Sequence, residues 1–334
     1  MTAPFQSVAV LGGGAWGTAL AQVAAAAGRD VTIWALEADV VEAINSAHEN
    51  VLFLPGIVLN HQLRATGALA EAAKADLILA APPAQYMRAV LKALRPSLPA
   101  KPAIALCAKG VERGTLALMT DVLAAELPGT VPAVLSGPGF AKDVARGLPT
   151  ATTIASPDAE LAQRIVATIG LPTFRPYVAD DLVGAEIGGA VKNVIAIGCG
   201  VAEGRKLGDG ARAALITRGF AELVRLGLAM GAKAETLNGL CGLGDLVLTC
   251  ASLSSRNTSL GAALGEGRKL KDILAERRSV AEGMESAPAV VALAKKYNVD
   301  MPICAAVDAI VGERISIDDA ITALLSRPFK AERA

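Results

Sequence analysis

Leu11-Gly12-Gly13-Gly14-Ala15-Trp16-Gly17-Thr18 follows the apolar run Val8-Ala9-Val10 and opens an alanine-rich segment, Trp16–Ala27, of helical character. Gly12, Gly14 and Gly17 give G-x-G-x-x-G between a strand and a helix. In that arrangement the first glycine permits a tight turn and the second lets backbone approach a diphosphate. The third lets the helix pack on the strand. The exposed N–H groups and positive dipole end of the helix then attract the anion. A plain glycine turn uses the same residues, but the motif's place in the first strand–turn–helix of the chain favours dinucleotide binding. Glu37 follows the second apolar run, Val31–Trp34, about 20 residues beyond Gly17, the spacing of a carboxylate that bonds the ribose hydroxyl of NAD. A solvated carboxylate at a helix start is the alternative for Glu37. Leu36 supplies no cation for the extra phosphate of NADP, so NAD or NADP is expected, with a lean toward NAD.

Outward from this motif, strands are expected at Val8–Leu11, Val31–Trp34, Leu77–Ala81, Ile104–Cys107, Val134–Leu135 and Thr152–Ala155. Helices are expected between them at Trp16–Ala27, Asp39–Ser46, Ala84–Leu94, Thr115–Glu126 and Asp158–Gly170. Such alternation predicts a mostly parallel sheet covered on both faces. After about residue 180 the period is helical throughout, as in Ala211–Ala232, Ala190–Ala202, Leu260–Gly265, Leu270–Ala275, Glu285–Tyr297 and Ile317–Leu325. The expected fold is α/β: an N-terminal Rossmann-type doubly wound sheet (1–180, dinucleotide-binding) followed by an all-α C-terminal domain (181–334, substrate and catalysis).

Composition narrows the chemistry. Thirty-two Lys+Arg balance thirty-two Asp+Glu, so no net field draws the chain to nucleic acid or to an anionic membrane. Two histidines, His48 and His61, leave little for a metal site or a Ser–His–Asp relay, so Lys, Asp or Glu must move any proton. No metal is expected. Mean hydropathy is +0.45, but the longest apolar run, Ala190–Val201, is broken by Lys192-Asn193, and no membrane span is read. The N-terminus has no basic region of a signal peptide. Five scattered cysteines without a C-x-x-C pair suit reduced thiols, so a cytoplasmic protein is expected.

Several segments carry candidate chemistry. Lys109 and the loop Ser136-Gly137-Pro138-Gly139 each follow a strand at its carboxyl end, where ligands collect in open sheets. A turn lysine and a structural loop are their plainer readings. Lys192 is flanked by Ala, Val and Ile within a helical run, a place where packing does not call for a lysine. Its stem could reach solvent, but semi-buried beside a ligand it could polarise a carbonyl and exchange its proton. Gly242-Leu243-Gly244-Asp245 offers one carboxylate in an apolar stretch, the expected charge partner of Lys192. Ser254-Ser255-Arg256-Asn257 offers successive donors suited to a phosphate, though a helix cap and surface arginine would look the same.

Together and in order, these segments resemble the bacterial NAD(P)-dependent glycerol-3-phosphate dehydrogenase family over nearly the whole length. Phe53-Leu54-Pro55-Gly56, Gly188-Gly189-Ala190-Val191-Lys192-Asn193-Val194, Ala213-Ala214-Leu215-Ile216-Thr217-Arg218-Gly219 and Glu282-Gly283 add to the likeness. The resemblance implies reversible reduction of dihydroxyacetone phosphate to sn-glycerol 3-phosphate, for phospholipid synthesis, with Lys192 as proton donor and acceptor. It implies a dinucleotide facing Ala15, Trp16, Lys109, Ala141, Arg256, Val280 and Glu282. It implies a substrate facing Lys109, Gly137, Gly139, Lys192, Asp245, Ser255, Arg256 and Asn257. The balanced net charge would then conceal a local cluster of Lys109, Lys192 and Arg256. The chain departs from the family pattern at Gly139, where a serine is usual, at Gly210, where an asparagine is usual, and at Leu36, where Arg or His is common. Another two-domain hydroxy-acid dehydrogenase, or a dinucleotide-binding regulator with impaired catalysis, would share the fold. A homodimer through the helical half is a further expectation.

Overall fold

The computed structural model describes residues 2–277, 281–329 and 331. Ten strands lie in the first part of the chain: β1 (Ser7–Leu11), β2 (Asp30–Trp34), β3 (Glu49–Asn50), β4 (Leu54–Val58), β5 (Arg64–Thr66), β6 (Leu77–Ala80), β7 (Ala103–Leu106), β8 (Pro132–Ser136), β9 (Thr150–Ala155) and β10 (Phe174–Ala179). Interspersed are α1 (Ala15–Ala26), α2 (Ala38–Ala47), α3 (Leu69–Ala72), α4 (Ala84–Leu94), α5 (Met119–Glu126), α6 (Ala141–Ala145) and α7 (Ala159–Ile169). Eight strands form one sheet in the order β10-β9-β8-β7-β6-β1-β2-β5, parallel except between β8 and β9. The strands β1, β6 and β7 are almost wholly buried because helices cover both faces. The order reverses direction at β1 and β6, so the carboxyl ends of these strands open a crevice.

After β10 the chain is helical: α8 (Leu182–Gly204), α9 (Asp209–Ala229), α10 (Ala234–Leu237), α11 (Asp245–Cys250), α12 (Arg256–Gly265), α13 (Leu270–Glu276), α14 (Glu282–Lys296), α15 (Pro302–Val311) and α16 (Ile317–Leu325). The centre of this half is α8, against which α9, α11, α12, α14 and α15 pack.

Several elements differ from the sequence reading. The helix expected from Thr115 begins at Met119, because Leu116 takes a left-handed backbone (φ 61°) and residues 112–117 close a turn. The strands β3 and β5 carry too few residues for an alternation to register, and β4 contains Pro55 and Gly56 and does not alternate between buried and exposed positions. β10 contains Pro176 and is mostly solvent-facing, as a proline-bearing edge strand must be.

α8 begins eight residues before Ala190, running through Gly184, Gly188 and Gly189. These glycines serve close approach: a Cβ on Gly188 would lie 2.3 Å from the Cys241 carbonyl oxygen. Nor does the apolar run end at Lys192-Asn193, so α8 is long and apolar enough to cross a membrane. However, 83% of its most apolar eighteen-residue window is buried inside the protein, as expected of a core helix. Likewise α12 begins at Arg256, not Leu260, because Ser255 caps it by accepting from the Thr258 N–H. α11 and α15 are further helices that the sequence reading did not identify.

Candidate active site

The glycine loop has the shape its sequence predicts. Gly12 has φ +103° and lies against Ala81 and Pro82 at the end of β6, while a Cβ on Gly17 would meet the Gly12 oxygen at 2.0 Å. Around Gly14 the space is open, so a Cβ there would fill the cradle in front of α1 rather than strike the protein. Two half-buried residues, Ala15 and Trp16, form the first turn of α1, and the Trp16 Nε1 is a buried donor without a partner among the described residues. An open, backbone-lined cradle at a helix N-terminus fits a dinucleotide diphosphate. Glu37 stands at the N-cap of α2 with no capping hydrogen bond from its side chain, and Leu36 is 81% exposed.

On the other side of the crevice, α8 and α11 bring charged groups together. Lys192 Nζ donates to Asp245 Oδ1 at 2.7 Å and to Thr249 Oγ1 at 2.8 Å. Lys109 Nζ, arriving from the end of β7, donates to Asp245 Oδ2 at 2.6 Å and to the Gly137 oxygen at 2.8 Å. Asp245 is 1% exposed and Lys192 6%. A single buried carboxylate thus bridges two ammonium groups, leaving this corner with a surplus positive charge. Burial pushes the Lys192 ammonium down to about 8, against the opposing pull of Asp245 and with the help of the Lys109 charge. Lys109 also lies 5.5 Å from the Trp16 ring centroid, joining the lysine pair to the glycine loop.

The remaining candidates fall around this pair. Gly137 passes so close to Thr152 that a Cβ would sit 2.8 Å from its Cα. A Cβ on Gly139 would meet Val144, Thr150 and the Trp16 ring, and Ala141 starts the short helix α6 that packs on α1. Asn257 Nδ2 donates to Asn193 Oδ1 at 2.9 Å, and its Oδ1 accepts from the Gly283 N–H at 3.0 Å. Asn193 Nδ2 donates in turn to the Lys109 carbonyl.

The Arg256 side chain is exposed at the start of α12 and has no ion pair among the described residues. Glu282 is pushed up by burial, countered chiefly by the Arg256 charge and then by a hydrogen bond from the Ala84 backbone and the charges of Lys109 and Lys192. Through Glu282 the three cations share one electrostatic neighbourhood. Val280 lies outside the described residues. The sequence reading did not select Thr249 and Asn193; Thr249 stands four residues beyond Asp245 on one helical face, a spacing that could have found it. Gly210 is exposed in the first turn of α9, where a side chain would meet nothing within 4 Å.

Comparison with known proteins accords with this geometry. The family description "NAD-dependent glycerol-3-phosphate dehydrogenase N-terminus" matches residues 7–162, and the corresponding C-terminus description matches residues 181–322. The chain belongs to the NAD-dependent glycerol-3-phosphate dehydrogenase family. The dehydrogenase is 60% identical over 332 residues to a glycerol-3-phosphate dehydrogenase (NAD(P)+) of Parvibaculum lavamentivorans, covering 99% of this chain and 100% of that one. Its identity to the Caulobacter vibrioides protein of the same description is 58%, covering 98% and 99%. The crystal structure of glycerol-3-phosphate dehydrogenase from Coxiella burnetii superposes with a TM-score of 0.93 at 39% identity, covering 97% of this chain and 99% of that one.

Proposed function

We propose that Lys192 transfers the proton in this NAD(P)-dependent glycerol-3-phosphate dehydrogenase, which interconverts dihydroxyacetone phosphate and sn-glycerol 3-phosphate. The observation that carries the reading is the buried Lys192–Asp245–Lys109 bridge beside the glycine loop. When bound, the nicotinamide supplies the hydride. Lys192 donates to the substrate oxygen as the ketone is reduced and takes that proton back in the oxidation. Asp245 and Thr249 hold its ammonium in place, Lys109 holds Asp245, and the surplus positive charge favours the oxygen on which negative charge develops. Ser255, Arg256 and Asn257, at the start of α12, are assigned to the substrate phosphate, and Gly137 and Gly139 to its path past β8. Residues 1–180 bind the dinucleotide and 181–334 carry the substrate, with Val280 and Glu282 on the cofactor side. Exposed Leu36 beside Glu37 supports a lean toward NAD.

The free, buried cysteines suit a cytoplasmic setting, and the product suits a role in phospholipid synthesis. The helical half is the surface assigned to a homodimer, with neither nucleic acid nor membrane as a partner.

The test is steady-state oxidation of NADH and NADPH with dihydroxyacetone phosphate across pH. Below about 8 Lys192 is charged and can donate; above it the proton is lost. The kcat/KM for ketone reduction, which reports the groups of the free protein, therefore falls as pH rises through about 8, and that for glycerol 3-phosphate oxidation rises through the same range. Parallel profiles in both directions would reject Lys192. Cofactor binding without turnover would favour the regulator reading.

Arg256→Ala is expected to act on substrate capture. Loss of a charge-assisted bond to phosphate costs about 1.5–3 kcal/mol, so KM for dihydroxyacetone phosphate rises about 10- to 150-fold. An unchanged KM would put the phosphate elsewhere.

A further inference from the structure

Asn50 sits on β3, outside the main sheet, and is wholly buried (0% exposed). Its Nδ2 donates to the Gly13 carbonyl at 2.7 Å and to Thr18 Oγ1 at 2.8 Å. Its Oδ1 accepts from the Phe53 N–H at 3.1 Å, so the amide is engaged at both ends. Thr18 Oγ1 passes the contact on by donating to the Gly14 carbonyl at 2.9 Å, which also accepts from the Thr18 N–H.

These contacts fix two successive carbonyls of the glycine loop toward the protein interior. In a planar trans peptide the C=O of one residue and the N–H of the next point in opposite directions. Holding the Gly13 carbonyl inward therefore turns the Gly14 N–H outward, and holding the Gly14 carbonyl inward does the same for the Ala15 N–H. A Cβ placed on Gly14 meets nothing within 4 Å, so the space beside these donors is open. The loop's own glycines cannot set this orientation, since glycine gives freedom rather than direction.

We infer that Asn50, acting through Thr18, is a positioning residue that orients the N–H donors of the glycine loop toward the cofactor diphosphate. The inference rests on the dinucleotide reading of the loop. The hairpin of β3 and β4, which the strand–helix alternation does not require, acquires a purpose: it delivers one amide to the back of the loop.

The test measures binding, not turnover. NADH affinity is read from its fluorescence change, and ADP and adenosine are then used to displace it from wild type, Asn50→Ala, Thr18→Val and Thr18→Ser. Thr18→Val keeps the volume and removes only the hydroxyl, so it remains informative if Asn50→Ala folds poorly. Asn50→Ala and Thr18→Val are expected to weaken NADH and ADP by about tenfold or more, as lost orientation of charge-assisted bonds requires. Adenosine, which lacks the diphosphate, is expected to bind within about twofold of wild type, and Thr18→Ser to restore NADH and ADP binding. Equal weakening of adenosine and ADP would mean a general loosening of the domain and would overturn the inference, as would unchanged NADH affinity in both variants. Failure of the wild type to bind NADH would instead overturn the dinucleotide reading beneath it.

Discussion

Lys192→Ala will lose turnover by about a thousandfold or more while NADH affinity stays within a fewfold of wild type. A positioned proton donor contributes about 10²- to 10⁴-fold, and in the role proposed for it Lys192 would also supply part of the positive field at the substrate oxygen. The residue is placed for this task by burial: eighteen of the 23 residues of α8 are buried, Lys192 among them, and Asp245 and Thr249 accept its ammonium protons in short hydrogen bonds. Arginine would keep the charge but hold its proton far above the working pH, so Lys192→Arg is expected to remain impaired. Steady-state kcat with dihydroxyacetone phosphate and a fluorescence titration of NADH separate the two effects. Wild-type-like kcat in Lys192→Ala would remove the residue from the reaction.

Asp245→Asn is expected to damage both stability and catalysis. The carboxylate is almost fully buried and joins Lys192 to Lys109, so its loss leaves two ammonium groups facing each other without a counter-charge. Breaking such a pair by removing one partner costs about 3–5 kcal/mol. The first consequence is a fall in the thermal midpoint of several degrees. The second follows from the sign of the electrostatics: Asp245 raises the Lys192 ammonium against the downward push of burial. Without it Lys192 loses its proton at lower pH, so the falling limb of ketone reduction moves to a pH below that of the wild type. Calorimetry and the pH profile of kcat/KM check both consequences. A variant as stable as wild type, with an unmoved limb, would show that the carboxylate is not coupled to Lys192.

Much of this architecture is legible along the chain because it depends on local pattern. The glycine loop is readable from three glycines placed between an apolar strand and an alanine-rich helix, and the parallel core from short apolar runs at regular spacing. Lys192 stands out because a lysine interrupts an apolar helical face. Reading stops where the cause is tertiary. Helix α8 starts eight residues before the periodicity shows it, and the reason for Gly188 within it is the Cys241 carbonyl packed against the helix. The contact between Lys109 and Asp245 spans 136 residues, and no local periodicity encodes it. Asn50 looks like a turn residue, since nothing in its neighbours indicates that its amide reaches back to Gly13. Gly139 is a case where sequence and packing are complementary. The usual serine is absent, and the space its Cβ would need is bounded by Val144 at 3.2 Å, Thr150 at 3.3 Å and the Trp16 ring at 3.5 Å.

The proton role of Lys192 is tested most directly by a single turnover. Enzyme loaded with NADH is mixed with excess dihydroxyacetone phosphate, and the loss of reduced nicotinamide absorbance is followed in wild type and in Lys192→Ala. Rapid full loss in wild type, with no comparable phase in a variant that still binds NADH, is the predicted result. A phase of wild-type rate and amplitude in Lys192→Ala would contradict it.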